Sequence, residues 1–456
     1  MKNIAAGVWA TAVLGALLSA FPAGAGSGNT EGPALAGAWV GLLQVSPTVS
    51  GRLGFYVQAK PDGSLFGTFV SLDQTAILID LSRVSQANRQ VSMEVSAIGG
   101  RYNGTLNPEG SRIEGHWTQG GPSYVLVLKR VIPQEPQRPY PYLEEEVVYP
   151  NGKDVSVLAG TLTRPPVGGP FPAVILITGS GAQDRDESLF GHRPFLVLAD
   201  YLTRRGLAVL RVDDRGVGGS TGDRSQATSE DFAGDVLAGI DYLKTRRDID
   251  AGQIGLLGHS EGGTIAPLDA VTSNAVAFVV LLAAPGVRGD LVIESQIVHS
   301  LQTAGASQAT IDATIQRQRN LVDIVKSEPD PNRAAQQLRD LGCTEAQIRD
   351  ATSKWFYFTV THDPQETLRK VQCPVLALNG ALDTQVLAQV NLPAIEQALR
   401  EGGNPDFTVQ ELPGLNHLFQ TARTGNLGEY AFIEETMSPA VLETMAAWIE
   451  ARTKQR

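Results

Sequence analysis

Five short, largely apolar runs, at residues 173–178, 207–212, 254–257, 277–283 and 375–379, alternate with stretches of helical periodicity. Strands that are apolar throughout need cover on both faces, which a parallel sheet with helices above and below supplies. The clearest intervening helix is expected after Thr228-Ser229-Glu230-Asp231, a capping-box start, with Phe232, Val236, Ile240 and Leu243 on one face. The alternation predicts an α/β class fold with a doubly wound, mostly parallel sheet. Between residues 287 and 370 the rhythm lapses into a polar, helix-prone stretch. An insertion there is expected to form a helical cap over the carboxyl ends of the strands. Within it Trp355, Phe356, Tyr357 and Phe358 are suited either to covering an apolar acyl or aryl group or to packing the cap's own core.

The preceding part of the chain reads differently. Residues 31–132 are expected to form a small all-β, barrel-like accessory domain, because apolar and polar residues alternate in short runs divided by turn dipeptides. Pro61-Asp62-Gly63-Ser64 and Pro108-Glu109-Gly110-Ser111 look like two equivalent hairpin turns. Prolines at 133, 136, 139 and 141 mark residues 133–141 as a semi-rigid linker, and the catalytic part is expected over 142–454. Asn151-Gly152, between two strand-like runs, predicts a type I′ hairpin. Residues 1–25 read as an export signal: Lys2, an uncharged stretch to Phe21, and Ala23-Gly24-Ala25 as a cleavage site. The mature chain is expected to be secreted or periplasmic, with no membrane attachment after cleavage. The net charge of −11 argues against a nucleic-acid partner. With only Cys343 and Cys373, neither a disulfide framework nor a cysteine zinc site is available; two separate thiols are favoured over one disulfide.

The chemistry is concentrated at Gly258-His259-Ser260-Glu261-Gly262, directly after the run at 254–257. In that position Gly-x-Ser-x-Gly is a nucleophile elbow, where glycines admit the close chain approach that a sharp strand-to-helix turn demands. A serine hydroxyl needs a general base held by an acid, and after such an elbow the chain order is serine, acid, histidine. Histidines stand at 116, 192, 259, 299, 362 and 417, and only His417 follows the last strands. Asp383, in the loop after 375–379, is the expected acid; Asp363 and Asp406, neither at a strand's carboxyl end, are its rivals. The oxyanion hole is expected from the backbone amides of Glu261 and Ser180, with Gly181 an alternative to the latter. Asp213-Asp214-Arg215-Gly216 lies on the wrong side of the elbow for the triad acid and is expected to form a structural Asp–Arg network. The Glu261 side chain is expected to pair with Arg185 or Arg215, or to hold a cationic substrate group. No cofactor or metal is called for.

Taken together, Gly179-Ser180-Gly181-Ala182-Gln183-Asp184-Arg185-Asp186, Asp214-Arg215-Gly216-Val217-Gly218, Gly258-His259-Ser260-Glu261-Gly262 and Leu415-Asn416-His417 resemble bacterial secreted serine esterases of the α/β-hydrolase superfamily that carry a small N-terminal β domain. The resemblance spans residues 142–454 and implies hydrolysis of a small-molecule carboxylic ester by a Ser-His-Asp triad. A peptidase or amidase on the same scaffold is the enzymatic alternative. A polymer-binding protein with secondary hydrolase activity is the alternative of another class.

Overall fold

The computed structural model describes residues 34–74 and 77–453, so the expected leader at 1–25 lies outside the described residues. Nine antiparallel strands come first: β1 (Gly37–Ser46), β2 (Val49–Ala59), β3 (Leu65–Ser71), β4 (Ile79–Asp80), β5 (Arg83–Ala87), β6 (Gln90–Val95), β7 (Gly100–Leu106), β8 (Arg112–Gln119) and β9 (Ser123–Arg130). They form one sheet of order β4-β3-β2-β1-β9-β8-β7-β6-β5. The sheet curls until its two edges are consecutive in the chain. Leu81 N–H donates to the Gly67 carbonyl on one side, and Ser82 N–H to the Glu94 carbonyl on the other. At Gly67 and Gly115 a Cβ would run into the neighbouring strand's backbone, and their bareness permits the bend. The result is a half-barrel. Its inner face buries Trp39, Phe55, Tyr102 and Trp117, with Phe69 stacked on Trp117 at 5.3 Å. The two Pro-x-Gly-Ser stretches do form its β2–β3 and β7–β8 turns, with Gly63 and Gly110 at positive φ.

The second sheet holds β10 (Leu143–Pro150), β11 (Val157–Arg164), β12 (Phe171–Ile177), β13 (Ala208–Val212), β14 (Ile249–His259), β15 (Val276–Leu282), β16 (Val375–Gly380) and β17 (Phe407–Leu412), in the order β10-β11-β13-β12-β14-β15-β16-β17. Every pairing from β13 to β17 is parallel; β10 and β11 add an antiparallel edge. Helix α1 (Pro194–Arg204) covers one face, joined later by α11 (Pro439–Thr453). The other face packs against α2 (Ser229–Lys244), α3 (Gly262–Thr272) and α10 (Ala388–Glu401). This is the α/β-hydrolase architecture. The capping box at Thr228 and Asp231 is present, and the expected face of α2 packs on the sheet.

Between β15 and β16 the chain leaves the sheet to form α4 (Gly289–Thr303), α5 (Gln308–Ser327), α6 (Pro331–Asp340), α7 (Glu345–Ala351), α8 (Lys354–Thr361) and α9 (Pro364–Leu368). They have a core of their own around Ile297, Leu321, Leu338, Phe356 and Val360. Because the excursion starts at the carboxyl end of β15, it lies at the end of the sheet where the loops carrying Ser260 and Asp383 emerge.

The Asn151-Gly152 hairpin takes another form than a type I′ turn. Six residues separate β10 from β11, and neither Asn151 nor Gly152 has positive φ. Asn151 instead uses its side chain: Oδ1 accepts from Lys153 N–H, and Nδ2 donates to Asp235 on α2 at 2.7 Å. Asparagine marks the turn through its amide, a local bond that competes with the two-residue hairpin.

The half-barrel docks on the hydrolase through a buried cluster of Ala38, Val131, Phe190, Leu418, Tyr430 and Ala431. Gln134, in the proline-rich stretch, accepts from Thr436 N–H through its side chain and from the Thr436 hydroxyl through its carbonyl. Among the described residues no helix is long and apolar enough to cross a membrane.

Candidate active site

β14 delivers the chain to Ser260, which adopts φ +51°, before α3 begins at Gly262. A non-glycine residue in that region costs about 1–3 kcal/mol and persists only where its surroundings impose it. The imposition is visible. Ser260 N–H donates to the Leu282 carbonyl at 2.8 Å, and the Ser260 carbonyl accepts from Gly263 N–H at 2.9 Å. A Cβ at Gly258 would overlap the Gly262 carbonyl, and one at Gly262 the Ile177 carbonyl. The two glycines of the motif are thus required by contact.

His417 and Asp383 meet across two loops. His417 Nδ1 lies 2.7 Å from Asp383 Oδ2, and both side chains are buried. The other carboxylate oxygen, Oδ1, accepts from the amides of Gln385 and Val386, which fixes the acid's rotamer. The histidine loop is shaped by Asn416, whose Oδ1 accepts from Leu418 and Gln420 N–H. Leu382 N–H donates to the Leu415 carbonyl and stitches the acid loop to the histidine loop. The rival acids are engaged elsewhere: Asp363 caps α9, and Asp406 pairs with Arg452 at 2.6 Å.

The loop after β12 is pinned at both ends by one carboxylate. Asp214 accepts from the Thr178 hydroxyl at 2.6 Å and from Gln183 N–H at 3.0 Å, while Arg224 pairs with it at 2.8 Å. Burial pushes this carboxyl up to about 7 against the pull of Arg224. Asp213 holds Arg185, and Arg215 is held by Asp235 and Asp154. This is the Asp–Arg network expected of the motif. Within the loop, Gly179 lies so near the elbow that a Cβ there would stand 3.2 Å from that of Ser260. Its N–H is already donated to Glu187 Oε1 at 2.7 Å. Among the described residues no protein acceptor meets the amides of Ser180 or Glu261, the two expected oxyanion donors.

Glu261 departs from expectation. Neither arginine reaches it, because Arg185 goes to Asp213 and Glu146 and Arg215 to Asp235. Its Oε1 accepts instead from the Ser229 hydroxyl and from Trp355 Nε1–H, each at 2.7 Å. The aromatic run is divided accordingly. Trp355 reaches down to Glu261, Phe356 fills the cap core, Tyr357 is half exposed, and Phe358 stacks on His362 at 4.7 Å. Helical spacing points four consecutive side chains in four directions, so they could not act as one surface. A cavity between α2 and the sheet is lined by Thr178, Gly179, Asp214, Phe232, Glu261 and Ile265; neither Ser260 nor His417 lines it. Cys343 and Cys373 are both free thiols.

Two further residues went unnoticed in the sequence. Glu187 and His259 are both buried, and they join each other at 2.9 Å between Nδ1 and Oε1. Glu187 follows directly on the Gly179–Asp186 stretch, and His259 occupies a variable position of the elbow, so proximity to motifs was the only available signal.

Residues 154–402 match the family model described as X-Pro dipeptidyl-peptidase (S15 family). Esterase EstD of Thermotoga maritima is 27% identical over 300 residues, which cover 65% of this chain and 67% of that protein. Among solved structures, the α/β-hydrolase GrgF of Penicillium sp. aligns with 68% of this chain and 99% of its own, at 16% identity and a TM-score of 0.45. An esterase of Pyrococcus furiosus aligns over 71% and 97%, at 14% identity and the same TM-score of 0.45.

Proposed function

Since the chain belongs to the S15 family, whose description names X-Pro dipeptidyl-peptidase, its hydrolytic class is the premise, and we propose that its substrates are short-chain carboxylic esters cleaved through an acyl-enzyme. One observation carries the triad: a buried carboxylate 2.7 Å from Nδ1 of a buried histidine, in a chain whose elbow serine is held at φ +51°. Asp383 accepts a hydrogen bond from Nδ1–H, which keeps that proton on Nδ1 and leaves Nε2 as the basic nitrogen. His417 Nε2 takes the proton of Ser260 as Oγ attacks the acyl carbon, and the amides of Glu261 and Ser180 receive the oxyanion. The protonated base then returns that proton to the departing alkoxide. Water, deprotonated by the same nitrogen, attacks the acyl-enzyme, and Ser260 recovers its proton as the carboxylic acid leaves.

Esters are favoured because an alkoxide departs readily, whereas an amine leaves only when protonated and held in register. The esterase name of the Thermotoga relative supports the same choice.

An aminoacyl amide is the second reading, and the surroundings of Glu261 favour it more than the sequence did. A carboxylate bonded only to neutral donors is free to take a substrate ammonium, where one paired with arginine would be spent. The test is kcat/KM for a nitrophenyl butyrate against an aminoacyl nitroanilide, with Glu261→Gln in parallel. Preference for the ester, little altered by Glu261→Gln, is expected. Preference for the anilide, lost in Glu261→Gln, would transfer the chain to the amide hydrolases.

A further inference from the structure

The Glu187–His259 pair touches three of the loops that the proposed chemistry requires: the elbow, the His417 loop and the loop at Gly179. His259 belongs to the elbow itself, one residue before Ser260. Its Nε2 lies 3.0 Å from the backbone carbonyl of His417, and its ring packs against the His417 ring at 4.7 Å. Its Nδ1 lies 2.9 Å from Glu187 Oε1, and that same oxygen accepts Gly179 N–H from the oxyanion loop at 2.7 Å. Glu187 itself sits at φ +52°, a strained backbone that its surroundings hold in place.

The protonation state follows from the partners. A carbonyl only accepts, so Nε2 must carry a proton. On the other side Nδ1 faces Glu187 Oε1, an oxygen that already accepts Gly179 N–H and can accept a second donor from Nδ1–H. With an acceptor at each ring nitrogen, both N–H groups of a protonated His259 have partners, and the imidazolium is the favoured form. Burial alone would push its proton off, but the Glu187 carboxylate and the His417 carbonyl outweigh burial and hold it above the ordinary range, with the charge of Asp383 adding to them.

We propose that Glu187 and His259 form a positioning dyad: an ion pair beneath the triad that fixes the backbone of the base at His417 and the oxyanion loop at Gly179 to the nucleophile elbow. The proposal rests on the triad reading above. Neither residue touches the reacting atoms. What they set is the mutual register of three loops, and a misplacement of 1 Å in such a register costs on the order of 10²-fold in rate. Loss of the His259 proton breaks one of the two bonds, so turnover should fall at alkaline pH. The groups facing this ring are Glu187, His417 and, through its charge, Asp383.

The experiment measures kcat, KM and the pH profile with a nitrophenyl ester for the full chain and for Glu187→Ala, Glu187→Gln and Ser260→Ala. Glu187→Ala is expected to lower kcat by on the order of 10²-fold with KM little changed. Glu187→Gln keeps an acceptor for Gly179 and His259 but removes the charge. It should retain much of kcat while the alkaline limb moves to lower pH, because an imidazolium without its carboxylate gives up its proton sooner. If Glu187→Ala fails to fold, the shift of that limb in Glu187→Gln remains decisive. An unmoved alkaline limb in Glu187→Gln, with Ser260→Ala inactive, would overturn the dyad and leave the triad standing. Full turnover in Ser260→Ala would overturn the triad instead.

Discussion

Asp383→Asn is the substitution whose effect the geometry fixes most tightly. Oδ1 is held by the amides of Gln385 and Val386, so the new side chain keeps its oxygen there. Its NH2 group must then take the place of Oδ2, 2.7 Å from His417 Nδ1. A donor facing Nδ1 forces that nitrogen to accept, which moves the ring proton to Nε2, the atom that has to receive the serine proton. The base is then present, correctly placed and in the wrong tautomer. In a Ser-His-Asp triad this exchange lowers kcat by roughly 10⁴-fold, equivalent to about 5.5 kcal/mol in the barrier. Folding should barely change, since both amide bonds survive. The assay is turnover of nitrophenyl acetate at pH 7, with thermal denaturation as control. Asp363→Asn serves as comparison, because asparagine caps a helix about as well as aspartate. A folded Asp383→Asn protein within tenfold of the parent rate would refute the reasoning. So would Asp363→Asn proving the more damaging of the two.

Arg185→Met should be costly for stability rather than for chemistry. It strands the buried Asp213 without its counter-ion, and breaking such a pair costs about 3–5 kcal/mol, read from urea midpoints. A change below 1 kcal/mol would mean that Gly219 N–H and solvent suffice for Asp213. His192 gives the fold an acid sensitivity. Its ring is buried against the Thr436 hydroxyl and the Tyr430 carbonyl, and burial pushes it down to about 4. An unfolded histidine titrates near 6.5, so between those values the unfolded chain takes up a proton that the folded one refuses. That contribution is complete above about pH 6.5 and is lost as pH falls toward 4, by roughly 3 kcal/mol at about 1.4 kcal/mol per unit. Urea midpoints at pH 7 and pH 5 should therefore converge in His192→Gln; an equal drop in both proteins would rule the group out.

The sheet was legible because strands covered on both faces have few polar residues to blur them, and a Gly-x-Ser-x-Gly after such a strand has one structural use. His417 was singled out by elimination because six histidines leave few alternatives, and Asp383 by the rule that loops at strand carboxyl ends carry the site; the structure brings the two within 2.7 Å of each other. What stayed hidden shares a different trait: it depends on which of several partners a side chain chooses. Arg185 and Arg215 were each chemically able to reach Glu261, yet Asp213 and Asp235 claimed them. Trp355 supplied the bond that an arginine was expected to make, through an indole N–H whose direction depends on the turn of α8. Glu187 and His259 lie 72 positions apart and have no periodic signature. Only the curl of the loop after β12 brings them together. Asn151-Gly152 misled because the dipeptide records a preference for turning, and the amide of Asn151 satisfied that preference in a longer loop.

The residue after His417, Leu418, is buried in the same cluster as Ala38 and Val131. Heredity at this junction is consequently joint. A recombinant that exchanged residues 34–130 for those of a distant relative would keep the whole eight-stranded sheet, yet its His417 loop would lean on a stranger's strand. Ala38 and Tyr56 pack in one cluster with Phe190, Leu418 and Tyr430, so a change of volume on one side calls for a compensating change on the other. The half-barrel should therefore travel with its hydrolase as one lineage, and drift in its outer face should be far freer than in the patch that meets the histidine loop.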